Sequence, residues 1–144
     1  MAVSATPVPT APAAWRRRAQ GVAVLGATLA AVVVWLVAAP LFGQDLVVQQ
    51  PGREAIEVGF GAVVTFSLVP SLAGWALLFL LERLTARARV IWTVIASAVL
   101  VLSFGPVLGV EAAGTTKLTL ALLHLAVGAV LIPIFWRTAR TPER

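Results

Sequence analysis

His124 is the single histidine of this 144-residue chain, and its placement invites a chemical reading before any other residue does. It lies in the last of four long apolar runs, about six residues, or roughly 9 Å at 1.5 Å per residue, inside one end. Ionisable groups at such depth usually face a protein interior and are functional candidates by default. Lys117 sits two helical turns outward on roughly the same face, and Gly128 one turn inward. Glu57 and Glu111 end neighbouring runs on the same side of the membrane, given the orientation argued below. His124, Glu57, Glu111 and Lys117 therefore form a candidate polar cluster at an external mouth. Such a cluster could relay protons, bind a small polar ligand or hold helix ends together. The plainer reading is a neutral imidazole satisfied by one hydrogen bond, with the other three as solvated helix ends.

Little other chemistry is available. Without cysteine there is no disulfide, thiolate metal site or iron–sulfur cluster. A metal site would have to combine His124 with carboxylates, and a bis-histidine haem would need two chains. No strands are expected, so no glycine-rich phosphate loop can follow one. A hydrolytic triad would rest on one buried imidazole with no acid at its depth. The sequence thus implies no cofactor, no metal and no catalytic residue, and nothing in it points to an enzyme.

The elements that must position these side chains follow from composition. The chain is 60% hydrophobic and 12% charged, with a mean hydropathy of +0.96. Soluble domains carry roughly a quarter charged residues, so most of this chain has no means of facing water. The net charge of +5 comes from eleven basic residues too dilute for a nucleic-acid surface. The composition is that of a membrane protein.

Four stretches are long enough to cross about 30 Å of hydrocarbon: residues 19–41, 56–81, 90–110 and 118–136. In lipid each must satisfy its own backbone and so form a helix, whatever its valine and isoleucine content. The fold expected is an all-α, four-helix transmembrane bundle over residues 16–137. A disordered, proline-rich tail is expected at 1–15 and a short basic tail at 138–144. The first apolar run, about 20 residues, exceeds the 7 to 15 of a signal peptide core. Helix one is therefore expected to be retained as an anchor.

Basic residues orient the helices. Arg16, Arg17 and Arg18 precede the first, Arg83, Arg87 and Arg89 fill the second connection, and Arg137, Arg140 and Arg144 follow the fourth. Only Arg53 and Lys117 fall on the other side. The positive-inside rule then makes both termini cytoplasmic. Trp15, Trp92 and Trp136 map to the same interface, where indole rings anchor helix ends. The arginines are accounted for as topology determinants and contacts to anionic lipid in the bilayer.

Two connections are about seven or eight residues long, which forces antiparallel neighbours and an up-down-up-down order. The first external loop is longer. In it Gln50-Pro51-Gly52 signals a turn, and Leu46-Val47-Val48 could lie on the bilayer surface or cap the bundle. Small residues decide contacts between helices in lipid. The candidate stripes are Ala23, Ala27 and Ala31 on helix one, then Gly59, Gly61, Ser67, Ser71 and Gly74 on helix two. Helix three offers Thr93 and Ser97, and helix four Ala121, His124 and Gly128. One stripe could instead serve a homodimer. Pro70 and Pro106 each remove a backbone donor and should bend their helices.

Several segments resemble a family of small actinobacterial four-helix membrane proteins of unknown function. They are Thr115-Thr116-Lys117-Leu118, Leu122-Leu123-His124-Leu125 with Gly128, Leu131-Ile132-Pro133, Gly74-Trp75 leading to Leu81-Glu82-Arg83, and the arginine-rich start of helix one. The resemblance covers about residues 16–140 and implies a bacterial inner-membrane protein with no catalytic residue to carry over. The expected role is a structural or accessory subunit with an unidentified membrane-protein partner. A small transporter or channel-like oligomer built on the external cluster is the first alternative. A membrane enzyme or cofactor binder centred on His124 is the second.

Overall fold

The structure is a computed structural model that describes residues 12–50 and 52–140. The proline-rich tail up to residue 11 and the last four residues, with Arg144, lie outside it. Four long helices dominate, α1 (Ala13–Leu36), α2 (Phe60–Leu84), α3 (Ala88–Gly109) and α4 (Gly114–Thr138). Each is long and apolar enough to cross a membrane. α1 starts directly after Pro12, so Ala13, Ala14 and Trp15 of the expected tail are already helical. It runs on into a wider π-helical turn at Val37–Leu41 that contains Pro40. There Phe42 N–H reaches back to the Val37 carbonyl at 3.1 Å. Helical geometry persists through Pro70, Pro106 and Pro133, all on exposed faces.

α1 packs against α4 and α2, and α3 packs against the same two helices. The reason lies in the spacing of its buried side. Gln20, Ala23, Val24, Ala27 and Ala31 recur every three or four residues, and all are at most 2% exposed. Short side chains there let neighbouring backbones approach, which is how helices associate where lipid removes the hydrophobic drive. The other stripes are used unevenly. Ser67 and Ser71 are buried, while Gly59 and Gly61 face open space and Ser97 is exposed. The buried serine hydroxyls bond within their own helix, Ser71 to the Ser67 carbonyl at 2.6 Å, so they contribute small size rather than interhelical bonds. Gly128 receives Leu100, whose Cδ2 would stand 2.8 Å from an added Cβ.

Trp92 departs from the expected interfacial role. It is 3% exposed, lies 4.9 Å from Phe135 between ring centroids, and donates to the Gly74 carbonyl at 2.7 Å. Its ring, on α3, thus packs against Phe135 of α4 and the Gly74 backbone of α2. Trp15 and Trp136 remain exposed.

The expectation of no strands is also corrected. Between α1 and α2 the chain forms a short antiparallel hairpin, β1 (Val47–Val48) with β2 (Ile56–Glu57). Its bend carries the anticipated turn chemistry: Gly52 has φ of +75°, and Arg53 N–H donates to the Gln50 carbonyl at 3.0 Å. Val47 and Val48 before that turn pair with Glu57 and Ile56 after it, and α2 consequently begins at Phe60 rather than near Ile56. Gln49 extends the pairing to Glu111 in the α3–α4 connection through two backbone bonds of 3.0 and 2.9 Å. Leu46, 1% exposed, is driven beneath the hairpin, so the loop caps the helices.

Candidate functional site

The four residues of the expected cluster fall on β2 (Glu57), the α3–α4 connection (Glu111) and α4 (Lys117 and His124). His124 Nδ1 lies 2.7 Å from the Leu120 carbonyl of its own helix, with its ring 6.2 Å from Phe104. Lys117 Nζ donates to the Leu108 carbonyl at 3.1 Å, placing a cation at the C-terminal end of α3 where the helix dipole favours it. Glu111 joins Gln49 through its backbone, and Glu57 is an exposed strand residue. Among the described residues no ion pair or hydrogen bond links any two of the four side chains.

The polar constellation that does converge is at the opposite, arginine-rich end. Its hub is Gln20, 1% exposed and one turn inside α1 from Arg16 and Arg17. Gln20 Oε1 accepts the Trp75 indole N–H at 2.9 Å and an Arg17 guanidinium N–H at 3.5 Å. Its amide nitrogen donates to the Thr138 carbonyl at 3.4 Å. One side chain thus ties α1 to α2 and α4, and both ends of its amide are occupied, as burial requires.

Glu82 holds the second layer. Its side chain is 5% exposed and takes Arg17 at 3.3 Å, Arg16 at 3.8 Å and the Arg140 backbone N–H at 2.8 Å. Arg16 also donates to the Thr138 carbonyl at 3.5 Å, one of the last carbonyls of α4. Arg89, at the start of α3, donates to the Ala139 carbonyl at 3.4 Å and stacks on Trp136 at 5.2 Å. Its Nε is buried without a partner among the described residues. Arg17 and Arg83 both stack on the Phe79 ring, at 4.3 and 4.1 Å from its centroid. Arginine suits this work because its planar fork serves carboxylate, carbonyl and ring face together.

Among the described residues the end stays positive, since the one carboxylate of Glu82 faces several guanidinium groups. Arg18, Arg83, Arg87, Arg137 and Arg140 are exposed around it. Beside the network lies a hollow of about 300 Å³ lined by Glu82, Arg83, Leu84, Thr85, Ala86 and Arg140. Along α2 beneath Arg17 runs a shallow apolar groove of about 270 Å³ lined by Leu72, Trp75, Ala76 and Phe79. The arrangement can fasten four helix ends and attract anions. A model described as "Family of unknown function (DUF6069)" matches residues 10–141 of the chain. The chain belongs to that family. The match spans all four helices, the hairpin and the arginine-rich network of this DUF6069 protein. No curated protein and no solved structure matches it.

Four members of the network, Gln20, Trp75, Glu82 and Thr138, escaped the sequence reading as partners. Their signal was nonetheless present. Gln20 is the strongly polar residue inside the first apolar run, spaced three and four residues from Arg17 and Arg16. Trp75, Phe79 and Glu82 follow at i, i+4 and i+7, which places them on one face of α2.

Proposed function

We propose that this DUF6069 protein is a non-enzymatic structural or accessory subunit of a bacterial cytoplasmic membrane, with four spans in up-down-up-down order and both termini in the cytoplasm. The observation carrying this reading is the Gln20–Trp75–Glu82 network, whose buried polar groups are spent on holding helices to one another. The orientation is supported by the positive-inside rule, since the arginines cluster at one end and the hairpin caps the other. Arginine-rich, alanine- and valine-rich composition suits the actinobacterial source that the sequence resemblance implies.

The cysteine-free chain makes the orientation directly testable. Arg53→Cys in the hairpin loop should react with an impermeant maleimide in intact cells. Ala86→Cys in the α2–α3 connection should react only after permeabilisation, and the reverse pattern would overturn the orientation. For the role, proteoliposomes of the full chain should show no proton or ion flux above empty vesicles. A flux abolished by His124→Phe in a protein that still folds would overturn the accessory reading in favour of transport.

A further inference from the structure

We propose that the groove on α2 beneath Arg17 is a site for one anionic phospholipid, its phosphate held between Arg17 and Arg83 and an acyl chain lying along Leu72, Trp75, Ala76 and Phe79. The inference deepens the membrane reading above and rests on it. Two independent features meet at this place. The first is a pair of guanidinium groups stacked on a single ring, Phe79, so their separation cannot exceed the sum of their distances to its centroid. Stacking fixes both cations in position, Arg17 with its nitrogens turned to Gln20 and Glu82 and Arg83 with its N–H edge available for an acceptor.

The second is charge complementarity. Arg17 shares Glu82 with Arg16 and the Arg140 N–H, so that carboxylate is already occupied and only 5% exposed. Arg83 is exposed and has no hydrogen bond or ion pair among the described residues, leaving its donors free. Among the described residues an anion entering here meets uncompensated positive charge, the nearest carboxylate they hold being Glu82, buried behind Arg17. The groove below is apolar and opens sideways, with Leu72 43% and Phe79 36% exposed on a helix apolar enough to span a membrane. A charged head above an apolar trough on a membrane helix has the shape of a lipid rather than of a free anion. Phosphatidylglycerol fits, since its headgroup carries no cation. The ammonium groups of phosphatidylcholine and phosphatidylethanolamine would be repelled by the same two arginines.

The test is lipid retention by the full chain, solubilised in mild detergent and titrated with phosphatidylglycerol or with phosphatidylcholine of identical acyl chains, read by native mass spectrometry. One phosphatidylglycerol should be retained in preference to phosphatidylcholine. Arg83→Gln should lower that retention about fivefold, the worth of one basic contact at an anionic surface. Ala76→Leu should lower it as well by filling the trough without touching charge, while Arg87→Gln, which lies off the groove, should leave it unchanged. Millimolar inorganic phosphate should not displace the lipid. Equal retention of the two lipids overturns the proposal. So does an Arg87→Gln loss equal to that of Arg83→Gln, which would reveal a diffuse field, or displacement by phosphate, which would make the site a free-anion site. Protein that is water-soluble without detergent would overturn the membrane reading itself, whereas protein that needs detergent and does not discriminate between the lipids overturns only the site.

Discussion

Replacing Gln20 by leucine keeps nearly the same volume and removes the hub that joins three helices. The cost can be worked group by group. The Thr138 carbonyl keeps Arg16 at 3.5 Å, and Arg17 keeps Glu82 at 3.3 Å. The group left without a partner is the Trp75 indole N–H, which had Gln20 Oε1 at 2.9 Å. An orphaned buried donor costs about 1–3 kcal/mol. Hydrogen bonds between membrane helices average about 0.6 and reach about 1.7 kcal/mol. Trp75 is only half-buried, so Gln20→Leu should destabilise the fold by about 1–1.5 kcal/mol. Trp75→Phe alone should cost about 1 kcal/mol, since it strands the amide oxygen with only the long Arg17 contact. The double variant is the decisive one. Removing donor and acceptor together leaves nothing unpaired, so Gln20→Leu/Trp75→Phe should cost clearly less than the two singles combined. Reversible unfolding in mixed micelles, followed by far-ultraviolet circular dichroism to avoid the changed tryptophan signal, measures all three. Additivity to within about 0.5 kcal/mol would refute the network as the source of stability.

Four further outcomes are expected. Glu82→Gln should cost about 2 kcal/mol in the same unfolding assay, between the larger loss for a buried charge deprived of its partner and the small one for an exposed pair, because Arg16 and Arg17 remain 20% and 36% exposed. Ala27→Leu, at a site 0% exposed, should cost about 1–3 kcal/mol by forcing α1 away from its neighbours. Leu25→Ala, at a site 67% exposed, should change stability by less than about 0.5 kcal/mol. Leu46→Ala should undock the hairpin, so that hydrogen exchange at the Gln49 and Glu111 amides accelerates while amides in the middle of α1 and α4 keep their protection.

What the sequence makes legible follows the strength of each signal. Four apolar runs, with Glu57 at the lip of the second as their one charge, have one solution in lipid, and four helices result. The α1 stripe at Ala23, Ala27 and Ala31 is legible for a related reason, because its small residues repeat at helical spacing. Helix starts are less legible: Ile56 and Glu57 extend an apolar run in one dimension, yet their partners Val47 and Val48 stand on the far side of a turn. The network around Gln20 needs α1, α2 and α4 together, and a single glutamine carries no periodicity of its own. Depth along the chain placed His124, Glu57, Glu111 and Lys117 at one level, but depth says nothing about direction around a helix. In the fold His124 turns to its own backbone and Lys117 to the end of α3. The same reasoning puts Trp92 at the interface, whereas Phe135 and the Gly74 carbonyl on other helices hold it inside.

The contacts that close the arginine-rich end join residues far apart in order of synthesis. Gln20 meets a carbonyl 118 residues later, and Arg16 the same carbonyl 122 residues later. At about 5–20 residues per second of translation, Gln20 waits on the order of ten seconds for that partner. During this interval α1 and α2 can already pair through Trp75 and Glu82, while the Gln20 amide nitrogen must be served by water or lipid headgroups. The end of the chain therefore acts as the latch of assembly. A nascent chain arrested before Thr138 should hold its first helices together yet stay open on the side that α4 later closes.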